Sequence, residues 1–437
     1  MKTPIYKRLC DYRNDNRIPF AMPGHKNMRG LDADFTGCDV TELSKTLNLL
    51  GDDETMMRAN ELLSSVYGSE KSFILTCGST SCVQTMVLSV LSHGDTLLAS
   101  RDCHISVINI CAVAGIKIKL TDSVAESDFT DGVRAVLVTS PNYYGVTKNI
   151  EKISKMCHKN GAVLLVDEAH GAHFTNRYGL PETAVRLGAD MVCHSAHKTL
   201  NALTGAAYLH VASDRVDINR VKRAIRMLHT TSPSYMIAAS ADIARATLEE
   251  QDYTDIIKEC NEFKDAISEA GVRFLPNDDP TRLVLDFSEY GVTGFEIAER
   301  LSQNYGIDVE MADLIHIVLI VTPYNRHSDF ISLFHSLKDI ISGLEKGTDK
   351  KVYPKIPEVS GEVISPQDGW GIKTELVDVK KAIGRVSAQT LSVYPPGTAV
   401  TVMGEKVSNN AVEYISAVTE YGGEVIGLND GKIEVIL

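Results

Sequence analysis

Residues 190–200 read DMVCHSAHKTL, an apolar run that ends in a turn carrying Lys198. This pattern predicts a strand with one lysine just after its carboxyl end. A lysine in such a place is costly to bury unless its charge is lowered or its amine is bonded covalently. A Schiff base with pyridoxal 5′-phosphate (PLP) is the chemistry that suits it.

A second apolar strand ends in a carboxylate. Residues 163–171 read VLLVDEAHG, which puts Asp167 at the carboxyl end of a strand, where open α/β sheets place ligands. The 31 residues from Asp167 to Lys198 are enough for a crossover and a return to the same edge of the sheet. PLP needs a lysine for its aldehyde and a carboxylate for its pyridinium nitrogen. Asp167 and Lys198 are therefore the predicted catalytic pair.

A third segment predicts the place of the cofactor's phosphate. Gly78, Ser79 and Thr80 follow an apolar strand at residues 72–76 and precede a helix. Backbone N–H groups at the N-terminus of a helix bind anions, and small hydroxyl side chains add further donors. We expect the phosphate here, with Ser195 contributing another hydroxyl. A plain helix N-cap has the same local sequence, so this assignment depends on the neighbouring motifs.

Strand and helix patterns alternate from residue 61 to residue 255, which predicts a large domain with a mostly parallel sheet covered by helices on both faces. A smaller α/β domain follows at residues 256–350, and short strands predict a C-terminal domain at residues 365–437. Residues 1–60 form a polar N-terminal segment, and residues 345–364 have the composition of a linker. The predicted strands of the large domain are residues 72–76, 95–99, 116–120, 134–139, 162–166, 191–194 and 206–210.

Composition limits the classes of protein. The chain has 437 residues, of which 44% are hydrophobic, and this allows a large core and two or three domains. Its net charge of −13 argues against binding to nucleic acid or to anionic membranes. The N-terminus lacks the apolar core of a signal peptide, and no apolar stretch is long enough to span a bilayer. Nine cysteines without a paired pattern predict reduced thiols and a cytoplasmic protein.

Several motifs, in the order found here, resemble those of the bacterial ornithine/lysine/arginine decarboxylases. They are AMPGHK at 21–26, DCH at 102–104, DEAHGAHF at 167–174, SAHKTL at 195–200, TTSPSY at 230–235 and YPPG at 394–397. This family consists of PLP enzymes with the aspartate-aminotransferase-like fold, fold type I. The resemblance implies an α/β protein with a PLP-binding large domain, a smaller α/β domain and a small C-terminal domain.

The resemblance also implies roles for single residues. His104 matches the imidazole that stacks on the cofactor ring, and His170 is expected on the other side of the pocket. His197 is expected either to contact the phosphate or to donate the proton that replaces CO2 on Cα. Thr231 is expected to reach the phosphate of a second subunit. Glu405 matches an acidic residue near the distal cation of the substrate.

The implied activity is the PLP-dependent decarboxylation of a basic amino acid, arginine, lysine or ornithine, to the corresponding amine and CO2. Arginine is the preferred substrate by analogy with the short members of the family. Those members lack an N-terminal regulatory domain, and the likeness to them implies a homodimer or tetramer. In this fold family the active site lies at the interface between subunits.

Other functions fit part of the same pattern. A different PLP reaction, such as transamination or β-elimination, would use the same lysine and aspartate, and Arg326 is the candidate for the α-carboxylate of a transaminase substrate. The intact lysine, aspartate and stacking histidine argue against a non-catalytic PLP-binding paralogue. Asp167, His170 and His173 also have a spacing that metal ligands can have. A metal would leave Lys198 without a role, so we predict no metal site.

Overall fold

The structure is a computed structural model that describes residues 14–15, 17–26, 28–29, 39–42, 46–51, 53–130, 132–344, 353–357, 364–394 and 397–437. Most of the predicted linker at 345–364, and the two prolines of the YPPG motif, lie outside these residues. The predicted domain boundaries remain predictions.

Eighteen strands are present in the described residues. In chain order they are β1 (Ile18–Phe20), β2 (Lys71–Leu75), β3 (Thr96–Ser100), β4 (Lys117–Thr121), β5 (Val133–Thr139), β6 (Val163–Asp167), β7 (Met191–His194), β8 (Ala207–Val211), β9 (Arg273–Phe274), β10 (Arg282–Asp286), β11 (Ile307–Val309), β12 (Met311–Ala312), β13 (His316–Ile320), β14 (Thr374–Asp378), β15 (Leu391–Tyr394), β16 (Thr398–Thr401), β17 (Glu424–Ile426) and β18 (Lys432–Ile436).

Twelve α-helices are present in the same residues. They are α1 (Glu54–Tyr67), α2 (Gly78–Val90), α3 (Ile105–Ala114), α4 (Ile150–Lys159), α5 (Ala196–Thr199), α6 (Ile218–Leu228), α7 (Tyr235–Glu250), α8 (Thr254–Glu269), α9 (Gly294–Tyr305), α10 (His327–Ser342), α11 (Pro366–Gly369) and α12 (Asn409–Glu420).

The largest sheet has seven strands in the order β2-β8-β7-β6-β5-β3-β4. The strands β7, β6, β5, β3 and β4 run parallel to one another, and β8 runs antiparallel to both β2 and β7. This confirms the predicted fold class with a mostly parallel sheet. The central strands read as unbroken apolar runs because helices cover both faces of such a sheet, and Leu164, Leu165 and Val166 of β6 are completely buried.

Two smaller units complete the fold. A four-stranded antiparallel sheet in the order β12-β13-β10-β9 forms the second α/β unit, with α8, α9 and α10 in the same segment of the chain. The N-terminal strand β1 joins this unit by pairing in parallel with β11. The C-terminal unit contains the sheet β16-β15-β17, the pair β14-β18 and helix α12.

The register of the parallel strands determines which side chains meet at the carboxyl edge of the large sheet. Asp167 at the end of β6 is level with Thr139 of β5 and with Cys193 of β7. The turn that carries Lys198 begins two residues after Cys193. The two predicted catalytic residues therefore leave neighbouring strands at the same edge, as their spacing in the sequence predicted.

None of the helices in the described part of the chain is long and apolar enough to cross a membrane. Seven cysteines belong to that part of the chain, and all seven are free thiols. Six of them are buried, among them Cys82, Cys103 and Cys193 near the large sheet. Burial raises the pKa of the Cys103 thiol to about 12, so this thiol stays protonated at neutral pH.

Candidate active site

A cavity of about 520 Å³ lies where β3, β5 and β6 end and where the turn after β7 begins. Its wall contains main-chain and side-chain groups from more than one unit of the fold. Eight of the predicted site residues line it: Gly78, Ser79, Thr80, His104, Asp167, His170, His197 and Lys198. The structure therefore brings most of the predicted site together.

Asp167 presents one carboxylate oxygen to this cavity. Its Oδ1 accepts hydrogen bonds from the backbone N–H of Ala169 (3.1 Å) and from the Cys193 thiol (3.4 Å). Its Oδ2 accepts no hydrogen bond from any described residue. A carboxylate on the wall of a cavity, with one oxygen that accepts no hydrogen bond, can accept one from a cationic N–H donor. This is the group that a protonated pyridine ring would supply.

Lys198 lies in the single turn of α5 with its amine close to an imidazole. Lys198 Nζ is 2.9 Å from His170 Nε2. Burial lowers the pKa of Lys198, and the nearby carboxylates of Asp167 and Glu310 act in the opposite direction. Desolvation is the largest of these effects because the ammonium form loses its hydration shell. The lowered pKa makes the uncharged, nucleophilic amine more accessible at neutral pH.

The N-terminus of α2 forms an open anion cradle beside this lysine. Cys77 caps the helix without a side-chain hydrogen bond. The N–H of Gly78 donates to the carbonyl oxygen of Gly205 at 2.8 Å, whereas the N–H groups of Ser79 and Thr80 donate to no described residue and keep their donor capacity. Gly78 has a φ of +73°, and a Cβ at this position would meet nothing within 4 Å. The Ser195 hydroxyl donates to the Ser79 hydroxyl at 2.7 Å. Ser195 therefore holds the Ser79 hydroxyl in place, but it does not line the cavity, so its expected direct contact with the phosphate has no support here.

His104 is the N-cap of α3 and turns its ring toward the cavity. Its Nδ1 accepts a hydrogen bond from the backbone N–H of Ser106 at 3.2 Å and lies 2.9 Å from the Ser106 hydroxyl. The backbone of His104 also forms an isolated antiparallel bridge with Thr398 of the C-terminal unit. The ring is therefore held between the start of a helix and a strand, which is suitable for stacking on a planar cofactor.

His197 is buried and neutral. Its Nδ1 is 3.0 Å from the carbonyl oxygen of Ala206, so Nδ1 carries the proton and donates it to this oxygen. Desolvation lowers the pKa of His197 to about 4. At neutral pH its Nε2 thus carries no proton. This state does not suit the direct donation of a proton to substrate, which was one of the two predicted roles.

The N-terminal AMPGHK motif braces the turn that carries Lys198. The backbone N–H of Gly24 donates to the carbonyl oxygen of His197 at 2.8 Å. A Cβ at position 24 would lie 2.3 Å from the carbonyl oxygen of Leu200, so only glycine allows this contact. Met22 of the same motif lines the cavity. The motif is distant in sequence from the lysine, but it stabilises the lysine's backbone.

Three further residues adjoin Lys198, and the sequence motifs do not mark them. The Tyr143 ring lies 4.4 Å from the His170 ring, and its hydroxyl donates to Glu310. Arg282 donates to His170 Nδ1 at 3.3 Å. Tyr143 follows the end of β5, so the rule that led to Asp167 would also have indicated it. No local pattern marks Arg282 or Glu310, since their position depends on the packing of the second unit.

A buried polar network lies beside β6, close to Asp167. Glu168 Oε2 is 2.6 Å from His194 Nε2, His194 Nδ1 is 3.1 Å from His210 Nε2, and His210 Nδ1 is 2.7 Å from the Ser72 hydroxyl. Burial raises the pKa of Glu168 to about 8 and lowers that of His194 to about 3. Neutral groups therefore satisfy one another along the network. No cluster of three or more potential metal ligands exists within the described ranges.

Thr231 and Glu405 do not line the cavity. Thr231 lies in the exposed segment between α6 and α7, and its expected contact with a second subunit stays a prediction. Glu405 is only 3% exposed. Its Oε1 accepts from Arg101 at 2.8 Å, and its Oε2 accepts from the backbone N–H of Val402 at 2.8 Å. Because both oxygens have internal partners, we replace the expected substrate contact of Glu405 with a structural role.

We expect the variant Glu405→Gln to lower the free energy of unfolding by about 3–5 kcal/mol, because removing one partner of a buried ion pair leaves the charge of Arg101 uncompensated. Urea unfolding measures this loss. Glu375→Gln is the matched control, since it breaks the half-exposed pair between Glu375 and Arg385 in the same unit. That change should cost about 1 kcal/mol or less. Equal stability of the two variants would argue against the structural role.

Comparison with known families identifies the chain. Residues 3–119 and 114–283 match the description "Orn/Lys/Arg decarboxylase, major domain", and residues 361–430 match "Orn/Lys/Arg decarboxylase, C-terminal domain". The chain is 29% identical to the arginine decarboxylase of Bacillus anthracis, with all of this chain and 97% of that protein aligned. It is 30% identical to the uncharacterized protein YaaO of Bacillus subtilis, with 95% and 94% aligned.

Solved structures have the same fold. The constitutive lysine decarboxylase of Escherichia coli superposes with a TM-score of 0.73 at 17% identity, covering 100% of this chain and 82% of that chain. An alanine–glyoxylate aminotransferase from Nostoc superposes with a TM-score of 0.59 at 16% identity, covering 74% of this chain and 95% of that chain. The decarboxylase matches across the C-terminal unit as well, whereas the aminotransferase matches a smaller part of the chain.

Proposed function

The chain belongs to the Orn/Lys/Arg decarboxylase family, and we propose that the cavity at the edge of the large sheet is where it removes the α-carboxylate of arginine with the help of PLP. Decarboxylation of a basic amino acid is the activity of this enzyme. The observation that carries the assignment to the cavity is the convergence of Lys198, Asp167 and the N-terminus of α2 on one space.

The residues present fit PLP in three separate respects. The open first turn of α2 suits a phosphate, the free Oδ2 of Asp167 suits a protonated ring nitrogen, and the amine of Lys198 suits an aldehyde. His104 and His170 line the same cavity and would hold the ring. PLP, when bound, supplies a ring that accepts the electrons released from Cα as CO2 leaves.

We assign the proton movements to Lys198 rather than to His197. Burial lowers the pKa of Lys198, which favours the uncharged amine that can take up and pass on a proton. The single ring N–H of His197, at Nδ1, donates a hydrogen bond to the carbonyl oxygen of Ala206. The pKa of about 4 keeps Nε2 unprotonated at neutral pH. His197 can therefore position the turn and the phosphate site, while Lys198 carries the proton that replaces CO2.

Asp167 is proposed to act by its charge. It is buried at the end of β6 and is held in place by Ala169 and Cys193. A fixed negative charge in a site of low dielectric stabilises a positive charge next to it without any reorganisation. It thereby keeps the ring nitrogen in the form that accepts electrons. The two hydrogen bonds to Oδ1 support this role, since they fix the carboxylate before any ligand arrives.

Arginine is the proposed substrate among the three basic amino acids. Four relatives that are 27–29% identical over 92–100% of this chain are named arginine decarboxylases. The constitutive lysine decarboxylase of Escherichia coli aligns over 93% of this chain, but at only 21% identity. The lysine decarboxylase LdcA of Pseudomonas aeruginosa aligns with only 61% of this chain. Arg326, the candidate for a transaminase carboxylate contact, is exposed and does not line the cavity. Transamination therefore has no support from that residue.

A screen of products tests the proposed substrate. We expect the purified enzyme with PLP to convert arginine to agmatine and CO2, and to act much more slowly on lysine and ornithine. Mass spectrometry of the amine, together with measurement of released CO2, reads the outcome. Faster release of a diamine from lysine or ornithine would overturn the choice of arginine. A keto acid in place of CO2 would point to transamination.

A homodimer or a tetramer with the active site at an interface is the proposed assembly. The segment that carries Thr231 is exposed in the single chain and rich in hydroxyl groups. Such a segment can donate to a phosphate on a neighbouring subunit. Light scattering of the purified protein measures the assembly state directly, and the wild type should be larger than a monomer.

A further inference from the structure

Arg282, His170 and Lys198 form a buried hydrogen-bonded series that ends at the reactive amine. Arg282 on β10 is 1% exposed. Its Nη1 and Nη2 donate to His170 Nδ1 at 3.3 and 3.4 Å, and Nη1 also donates to the carbonyl oxygen of Tyr143 at 3.2 Å. No carboxylate in the described residues forms an ion pair with Arg282. His170 Nε2 is 2.9 Å from Lys198 Nζ on the opposite side of the ring.

The chemistry of arginine sets the direction of these bonds. A guanidinium group has only donors and stays protonated in proteins. His170 Nδ1 must therefore be an acceptor and can carry no proton. In a neutral imidazole the remaining proton is then on Nε2. That proton points at Lys198, so the partner nitrogen must offer a lone pair. An ammonium group at Lys198 would put two donors against each other.

We propose that Arg282, acting through His170, holds Lys198 as an uncharged amine while that amine is free, before it joins the PLP aldehyde, and that Arg282 is a positioning residue for this step. The inference rests on the proposed function, because only an uncharged amine at Lys198 can react with the PLP aldehyde. It gives a role to a guanidinium that is buried beside a lysine and forms no ion pair with a described carboxylate. It also explains why His170 occupies a place between two basic side chains.

The other groups around Lys198 act on its charge from several elements. Asp167 of β6 and Glu310 favour the ammonium form. Arg282 of β10 disfavours that form. The three imidazoles near the amine are those of His104, His170 and His197, and the pKa of each is lowered by burial. With two carboxylates nearby, charge alone does not decide the state of Lys198, so the oriented proton of His170 gains importance.

The first test reads the proton on His170 directly. NMR of full-length protein labelled at its histidine nitrogens distinguishes Nε2–H from Nδ1–H, and the variant His170→Gln identifies the signal. We expect Nε2–H in the wild type and in Arg282→Lys, which keeps a group with donors only. In Arg282→Gln, whose amide can also accept, both tautomers should be present. An Nδ1–H signal in the wild type would overturn the proposal.

The second test measures Lys198 itself without its cofactor. Trace acetylation of the full-length, cofactor-free chain at a series of pH values gives the reactivity of Lys198, with the exposed Lys406 as the internal reference. In Arg282→Gln we expect the midpoint of the reactivity profile to move to higher pH. At pH values below both midpoints, a midpoint that is higher by about one pH unit lowers the reactivity about tenfold. Arg282→Lys should keep the wild-type midpoint.

The outcomes separate this proposal from simpler explanations. A midpoint that moves while the His170 tautomer stays the same would mean that Arg282 acts by charge alone. Equal loss of reactivity at every pH would indicate a structural defect. Either result overturns the proposal that Arg282 acts on Lys198 through the proton of His170. Attachment of PLP to a different lysine would defeat the proposed function but would leave these measurements valid, because neither uses the cofactor.

Discussion

Substitution of Lys198 by alanine should abolish decarboxylation while leaving a folded protein. The variant loses the only lysine amine among the described residues of the cavity wall, and with it both the covalent attachment and the proton carrier. Positioned acid–base groups contribute about 10²–10⁴ in rate, and the loss of the attachment adds to this. Release of CO2 from arginine measures the effect. Lys406→Ala, an exposed lysine of the C-terminal unit, should retain wild-type turnover.

Chemical labelling provides the companion result. Reduction of the wild-type enzyme with borohydride should attach PLP to the peptide that contains Lys198. Lys26 is an informative comparison, because it is fully buried and desolvation lowers its pKa to about 7. Its amine donates to the carbonyl oxygens of Ala21 and Ile320 and does not line the cavity. Label on Lys26, or on any lysine other than Lys198, would refute the central assignment.

Replacement of Asp167 by asparagine should leave PLP binding largely intact but slow turnover by about 10²–10³-fold. The loss follows from removing a fixed charge at the place where charge develops in the reaction. Asparagine has nearly the same shape, so the bond from Ala169 can persist. Steady-state rates and the PLP content of the purified variant are the two measurements.

Asp102 is the matched control for Asp167. It also lines the cavity, but its carboxylate already pairs with Lys148 at 2.6 Å. Asp102→Asn should therefore slow turnover far less than Asp167→Asn. Similar losses in both variants would show that the cavity requires negative charge in general and that Asp167 has no special relation to the ring.

The large sheet could be predicted from the sequence because its signals are local. Apolar runs of four to seven residues ended by a polar group predicted β5, β6 and β7 to within a residue, and the register then brought Asp167 beside the Lys198 turn. The antiparallel entry of β8 between β2 and β7 was not predicted, because strand order depends on the packing of the whole sheet.

Residues that act through distant partners could not be predicted in this way. Arg282 meets His170 across 112 positions, and Glu405 meets Arg101 across 304 positions. The sequence around Glu405 resembles the family and suggested a contact with substrate, but it does not indicate that an arginine of another unit pairs with this carboxylate. Burial is the missing quantity, since a carboxylate in the core takes whichever cation the fold supplies.

The seam between the large sheet and the C-terminal unit has a consequence for engineering. Arg101 and His104 come from the loop after β3, yet they are joined to Glu405 and Thr398 of the C-terminal unit. A chimera that exchanged the C-terminal unit with that of a relative would separate charges that must be matched in the interior. Recombination within this family should therefore succeed only where the loop after β3 and the C-terminal unit are inherited together.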